Sequence, residues 1–178
     1  MKRFAMLALV LAFAVSCDDS PTSPSDNPNV ARFTAILLPS NEVPPIPSTN
    51  ADAGASGTMQ MTMTVTRDAA NVITGATYDF TFNVTGFPAN TTLTGAHIHA
   101  APAGVNSGVV VGVPLTATEA ALATGQATVT KSGLTAQVAA NAATVAQNIF
   151  NNPAGNYFNV HTTVNGGGAI RGQLVRLD

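Results

Sequence analysis

The sequence predicts an all-β fold, a Greek-key-like β-sandwich or flattened barrel of about eight strands with one inserted helix. Three observations predict it. Apolar and polar residues alternate along several segments, as they do in strands with one dry face and one wet face. Turn-forming stretches such as 68–71, Gly86-Phe87-Pro88 and 104–108 divide those segments. Only residues 134–150 carry apolar side chains at helical spacing.

Residues 33–38 form a short apolar strand that Pro39 stops, and Pro44-Pro45 then forces an extended, non-helical path. Residues 58–66 alternate, with Met59, Met61, Met63 and Val65 on one face and threonines and Gln60 on the other. After a turn at 68–71, residues 77–84 alternate again, with Tyr78, Phe80, Phe82 and Val84 inward. The two strands make a hairpin with one wet face. The three methionines would suit Cu(I) if exposed, but they lie in line with Val65 and are read as core.

Residues 95–99 predict a further strand, with Ala96 and Ile98 inward and His97 and His99 outward. Residues 109–113 are a β-branched run, and 125–130 another short strand. The helix is expected over 134–150, from Leu134, Val138, Val145 and Ile149, and ends at Asn151-Asn152-Pro153. The last hairpin joins 157–164 to 169–175 through a glycine-rich turn. Phe158 and Val160 face the core, so Ile170 and Leu174 should lie beside them, because a one-residue slip would expose the whole apolar set. Arg171 and Gln173 then share the outer face with His161.

Residues 1–16 read as an export signal: Lys2 and Arg3, then an apolar run too short to span a membrane. The small residues Ala14-Val15-Ser16 precede Cys17, the only cysteine. This resembles a bacterial lipobox, which implies lipidation of Cys17 and attachment to a membrane without a spanning helix. Asp18 follows directly, a position that sorts lipoproteins in some bacteria, so either leaflet of the envelope stays open. Residues 17–29 are rich in Ser, Pro, Asp and Asn and read as a flexible tether. Residues 30–178 are enough for one domain.

Charged residues make up only 9% of the chain, and five basic residues face nine acidic ones once Lys2 and Arg3 are removed, a net charge of −4. No basic patch exists to recruit nucleic acid. Enzyme signatures are missing: no Gly-x-Ser-x-Gly elbow, no paired carboxylates, no phosphate-binding glycine loop. No catalytic residue is assigned.

The chain's three histidines are the candidate site. Residues two apart on a strand share a face, so His97, His99 and His161 converge if their strands are neighbours. Neutral imidazoles are good copper or zinc ligands, and three leave an open fourth position. The competing reading is that they hydrogen-bond loops across the sheet and stabilise the fold. Glu42 and Arg171, sparse charges in a charge-poor domain, are expected either as an ion pair fixing the Pro44-Pro45 loop or as ligand-orienting groups, with Arg171 alternatively bonded to backbone carbonyls.

The run Glu42-Val43-Pro44-Pro45, then His97-Ile98-His99 with a glycine-bearing loop, then Asn159-Val160-His161-Thr162, then Ile170-Arg171-Gly172-Gln173-Leu174 resembles the CHRD domain, named for chordin and widespread in bacterial secreted proteins. The resemblance covers about residues 32–174. It implies an extracytoplasmic β-domain acting as a binding or structural module, without an established general enzymatic activity. A looser similarity is to copper–zinc superoxide dismutases, Greek-key sandwiches with a His-x-His strand and a later histidine on copper; His97, His99 and His161 would correspond. The chain lacks a histidine to bridge to zinc and a disulfide pair, which argues against dismutase chemistry. The expectation is thus a lipid-anchored module of the bacterial envelope, with copper, or less readily zinc, on the histidine trio as the alternative, and no certain cofactor or protein partner.

Overall fold

The computed structural model describes residues 27–178. The expected export signal, Cys17 and most of the expected tether fall within 1–26 and lie outside the described residues.

The alternating segments form strands β1 (Val30–Leu37), β2 (Ser56–Arg67), β3 (Ile73–Thr85), β4 (Thr91–His99) and β5 (Val109–Val113). A single helical turn, α1 (Ala117–Ala120), leads into β6 (Ala121–Leu122) and β7 (Ala127–Leu134). Helix α2 (Ala142–Asn151) precedes β8 (Tyr157–Thr162), β9 (Ile170–Gln173) and β10 (Val175–Arg176). Every strand pair is antiparallel, in two sheets: β10-β1-β2-β3-β7, and β5-β4-β8-β9 with β6 against the start of β4. The sheets meet at one corner, where Leu38 and Arg171 exchange backbone hydrogen bonds. The arrangement is a sandwich, not a closed barrel.

The core lies between the sheets, as the pleat dictates. Met59, Met61 and Met63 are buried beside Phe33, Phe80 and Phe82 on one sheet; Ala96, Ile98, Phe158, Val160 and Ile170 come from the other. Phe158 bridges the layers, its ring 6.0 Å from Phe80 and 5.4 Å from Phe82. The last hairpin takes the expected register: Val160 stands opposite Ile170 and Asn159 opposite Arg171.

The long helix is a correction. Leu134 pairs with Tyr78 at the end of β7, and Val138 is exposed in an extended segment whose Gln137 N–H bonds to Val110 O. The helix begins only at Ala142 and buries Ala146 and Ile149. Tertiary pairing overrides the spacing here: the β-branched Thr135 and Val138 are indifferent helix formers, and Asp79 Oδ1 caps the turn at Gly133 N–H, 2.7 Å away. The strand count also exceeds the expectation, because β6 and β10 are two residues each and leave no periodic trace. Among the described residues, no helix is long and apolar enough to cross a membrane.

Candidate metal centre

β4 and β8 are hydrogen-bonded neighbours, with His97 opposite Asn159, His99 opposite Tyr157 and Gly95 opposite His161. Pleat parity therefore places all three imidazoles on the outer face of this sheet. They converge: one ligand nitrogen from each of His97, His99 and His161 lies within 4.8 Å of the others. The ring centroids of His97 and His161 are 4.9 Å apart, those of His97 and His99 5.8 Å, and those of His99 and His161 6.3 Å. Ligands of one tetrahedral ion with bonds of about 2.0–2.1 Å sit about 3.3–3.4 Å apart. The rings must therefore draw in by about 1 Å to close on an ion, a shift within the reach of side-chain torsions.

Backbone carbonyls aim two of the rings. His99 Nδ1 donates to Ser107 O at 2.8 Å, and His161 Nδ1 donates to Gly166 O at 3.0 Å. A carbonyl can only accept, so these bonds fix the proton on Nδ1 and leave Nε2 as the free lone pair. This is the outer-shell arrangement that orients metal-binding histidines. The Nε2 atoms of His99 and His161 both point at the carboxamide of Asn159, at 3.1 and 3.0 Å. The His97 ring has no hydrogen-bond partner among the described residues, and its Nδ1 is buried. An orphaned buried nitrogen costs free energy unless something binds it.

His97 reaches the cluster because residue 95 is glycine. The ring folds back over the strand, and a Cβ on Gly95 would stand 2.6 Å from its Cε1 and 3.0 Å from its Nε2. Burial lowers the pKa of all three histidines; for His97, burial and then the neighbouring His161 and His99 take it to about 4. The trio is neutral at pH 7, the state a metal requires.

The outer face is covered, which the alternating pattern does not reveal. Arg171 is 1% exposed, Asn159 1%, Tyr157 2% and His99 6%. The cover is the loop after β4. Arg171 Nη2 donates to Pro102 O and Val105 O at 3.1 and 2.8 Å, Nη1 donates to Asn106 Oδ1 at 3.1 Å, and Gln173 Nε2 donates to Ala101 O at 3.1 Å. These bonds draw the loop down until Ser107 O meets His99. The Arg171 guanidinium lies 3.3 Å over the Tyr157 ring, whose other neighbour is His99, stacked at 4.7 Å and 4°. On the far side, buried Asp52 accepts from Thr162 Oγ1 and Asn165 Nδ2, both at 2.6 Å, and holds the β8–β9 turn that presents Gly166 O.

The expected Glu42–Arg171 ion pair is not formed. The ion pairs among the described residues are Lys131–Glu119 and Arg176–Asp178. Arg171 takes the carbonyl-binding alternative, since its planar fork matches several fixed oxygens at once, and Asn106 links it to the Pro44-Pro45 loop by donating to Val43 O at 2.7 Å. Glu42 is buried against Gly168, where a Cβ would lie 2.5 Å from its Oε1 and φ is +132°. Its Oε1 has no hydrogen-bond partner, and burial raises its pKa to about 7 despite Arg171, whose charge opposes the rise.

The trio is legible in the sequence, whereas its supports are not: Gly95, Tyr157, Asn106, and Asn159 as a contact of the imidazoles. One signal was present: Asn159 and His161 are two apart on one strand, so they share a face.

No curated protein and no solved structure matches the chain. The family model described as the CHRD domain matches residues 33–174, four-fifths of the chain and every residue of the cluster and its cover. The protein belongs to the CHRD domain family.

Proposed function

We propose that this CHRD domain is an extracytoplasmic metal-binding module that holds one d-block ion on His97, His99 and His161, tethered to a bacterial membrane through lipid on Cys17. Copper is the favoured ion and zinc the second, because three neutral imidazoles with an open fourth position bind copper more tightly than zinc in the usual order of affinities. The observation that carries the reading is the pair of Nδ1–H···O=C bonds that turn two Nε2 lone pairs toward a common point beside a third, unpartnered imidazole.

The structural alternative has an observation too. His99 and His161 each tie a loop to the sheet, as fold-stabilising histidines would. It leaves His97 unexplained, since that ring bonds to no loop and carries a buried orphan nitrogen. Nothing in the cluster supplies a second ligand set for a bridged metal pair, so the module is read as a binder and not as a dismutase.

Calorimetric titration of the protein with Cu(II) and Zn(II) tests this. One ion per chain is expected, copper tighter than zinc, with binding lost in the His97→Ala/His99→Ala variant. Unchanged stoichiometric binding in that variant would remove the trio from the account.

A further inference from the structure

The hydrogen-bond ledger around Asn159 does not balance with its carboxamide oxygen toward the histidines. Four ring nitrogens are engaged: two Nδ1 atoms face the carbonyls of Ser107 and Gly166, and two Nε2 atoms face one terminal atom of Asn159. Were that atom an oxygen, all four nitrogens would have to carry protons, making His99 and His161 both cations. Two such cations, with ring centroids 6.3 Å apart, with the Arg171 guanidinium on the far face of the Tyr157 ring that stacks on His99, and with no carboxylate among the described residues paired to either, would repel one another. The oxygen and nitrogen of a carboxamide have nearly the same size, and the hydrogen-bond partners decide which end is which. With the nitrogen inward, the count closes: each neutral ring gives its Nδ1–H to a carbonyl, and the two amide hydrogens go one each to the two Nε2 lone pairs.

We propose that Asn159 points its amide nitrogen at the trio and stands in for the metal in the free protein, a positioning residue whose two N–H groups hold the ligand lone pairs inward until an ion displaces it. The displacement half rests on the metal-binding reading above; the orientation half does not. The carboxamide is suited to the role because it offers two donors from one atom, as a cation offers one centre to several lone pairs. Its place between the rings is set by register: Asn159 stands opposite His97 on β4 and Arg171 on β9, and two residues from His161 on its own strand.

The consequence for affinity has a definite sign. Asn159 stabilises the metal-free state, so its removal should tighten metal binding, whereas loss of a merely structural residue would loosen it. Two measurements test this. In the metal-free wild type, two-bond proton–nitrogen correlation spectra of the imidazoles should show His99 and His161 as neutral Nδ1–H tautomers. In Asn159→Ala, Cu(II) affinity should rise about tenfold or more, the equivalent of the lost hydrogen bonds. Nε2–H tautomers or imidazolium rings at pH 7 would overturn the inference while leaving the metal reading intact. An unchanged or weaker affinity in the variant would overturn the displacement. Nδ1–H tautomers with no Cu(II) bound by either protein would confirm the orientation and overturn both the metal reading and the displacement. The tautomer measurement needs no variant, so the orientation is testable even if Asn159→Ala fails to fold.

Discussion

Gly95→Ala separates the site from the fold. The alanine Cβ would meet His97 Cε1 at 2.6 Å and Nε2 at 3.0 Å, where ordinary contact begins at 3.4 Å. The imidazole must retreat by about 0.8 Å, about four times the ~0.2 Å tolerance of a metal–ligand distance. It has somewhere to go, since His97 is only half-buried. The backbone accepts the change, because Gly95 is not among the residues at positive φ, and alanine lowers the entropy of the unfolded chain. Folding stability should therefore move by less than about 1 kcal/mol. Metal affinity should fall by about 100-fold, the upper range for disturbing the orientation of one ligand, or about 2.7 kcal/mol. A competition titration with a chelator of known affinity measures the second quantity and a urea melt the first. Wild-type affinity in a folded Gly95→Ala protein would refute the reasoning, because the ring that glycine admits would then not be a ligand.

Arg171→Ala should cost about 3–5 kcal/mol in a urea melt, because it strands the carbonyls of Pro102 and Val105 and removes a buried charge stacked on Tyr157, and Arg171→Lys should recover little of it; a melt within 1 kcal/mol of wild type would contradict the clamp. Glu42 has a folded pKa near 7 against an unfolded value near 4.5, so the unfolded chain ionises first and stability falls as pH rises through that window. Glu42→Gln should accordingly stabilise the protein by about 1–2 kcal/mol at pH 7.5, after allowing for solvent screening, with the gain vanishing at pH 4; a gain independent of pH would exclude the carboxylate as its source. The depressed histidine pKa values act in the opposite direction: free chains take up protons below pH 6.5 and the folded protein takes them up only at lower pH, near 4 for His97, so these groups lower stability as the pH falls. In a pH series of titrations, Cu(II) affinity should accordingly fall less steeply below pH 6.5 than it would for ordinary imidazoles, and a loss as steep as theirs would contradict the lowered values.

The part of the site that periodicity governs was legible. Alternation at 95–99 and 157–162 sets which side chains leave the core, and a buried inner face forbids a slip, so the convergence of His97, His99 and His161 follows from parity and pairing. The cover was not legible. The loop at 100–108 has no apolar period, and what fixes it is the reach of Arg171 and Gln173 from β9, a tertiary fact that no local pattern encodes. Arg171 itself reads from sequence as one half of an ion pair because charges are scarce, whereas the fold offers its fork several carbonyls and no carboxylate within bonding distance. The helix fails for a related reason: Leu134 and Val138 have the right spacing, but an edge beside β3 was open to residue 134.

Electron paramagnetic resonance of the protein loaded with one equivalent of Cu(II) reads the donor atoms of the ion itself. Hyperfine coupling to three imidazole nitrogens is expected, reduced in His97→Ala, His99→Ala and His161→Ala alike. A spectrum of hydrated copper, or nitrogen coupling unaltered by all three substitutions, would contradict it.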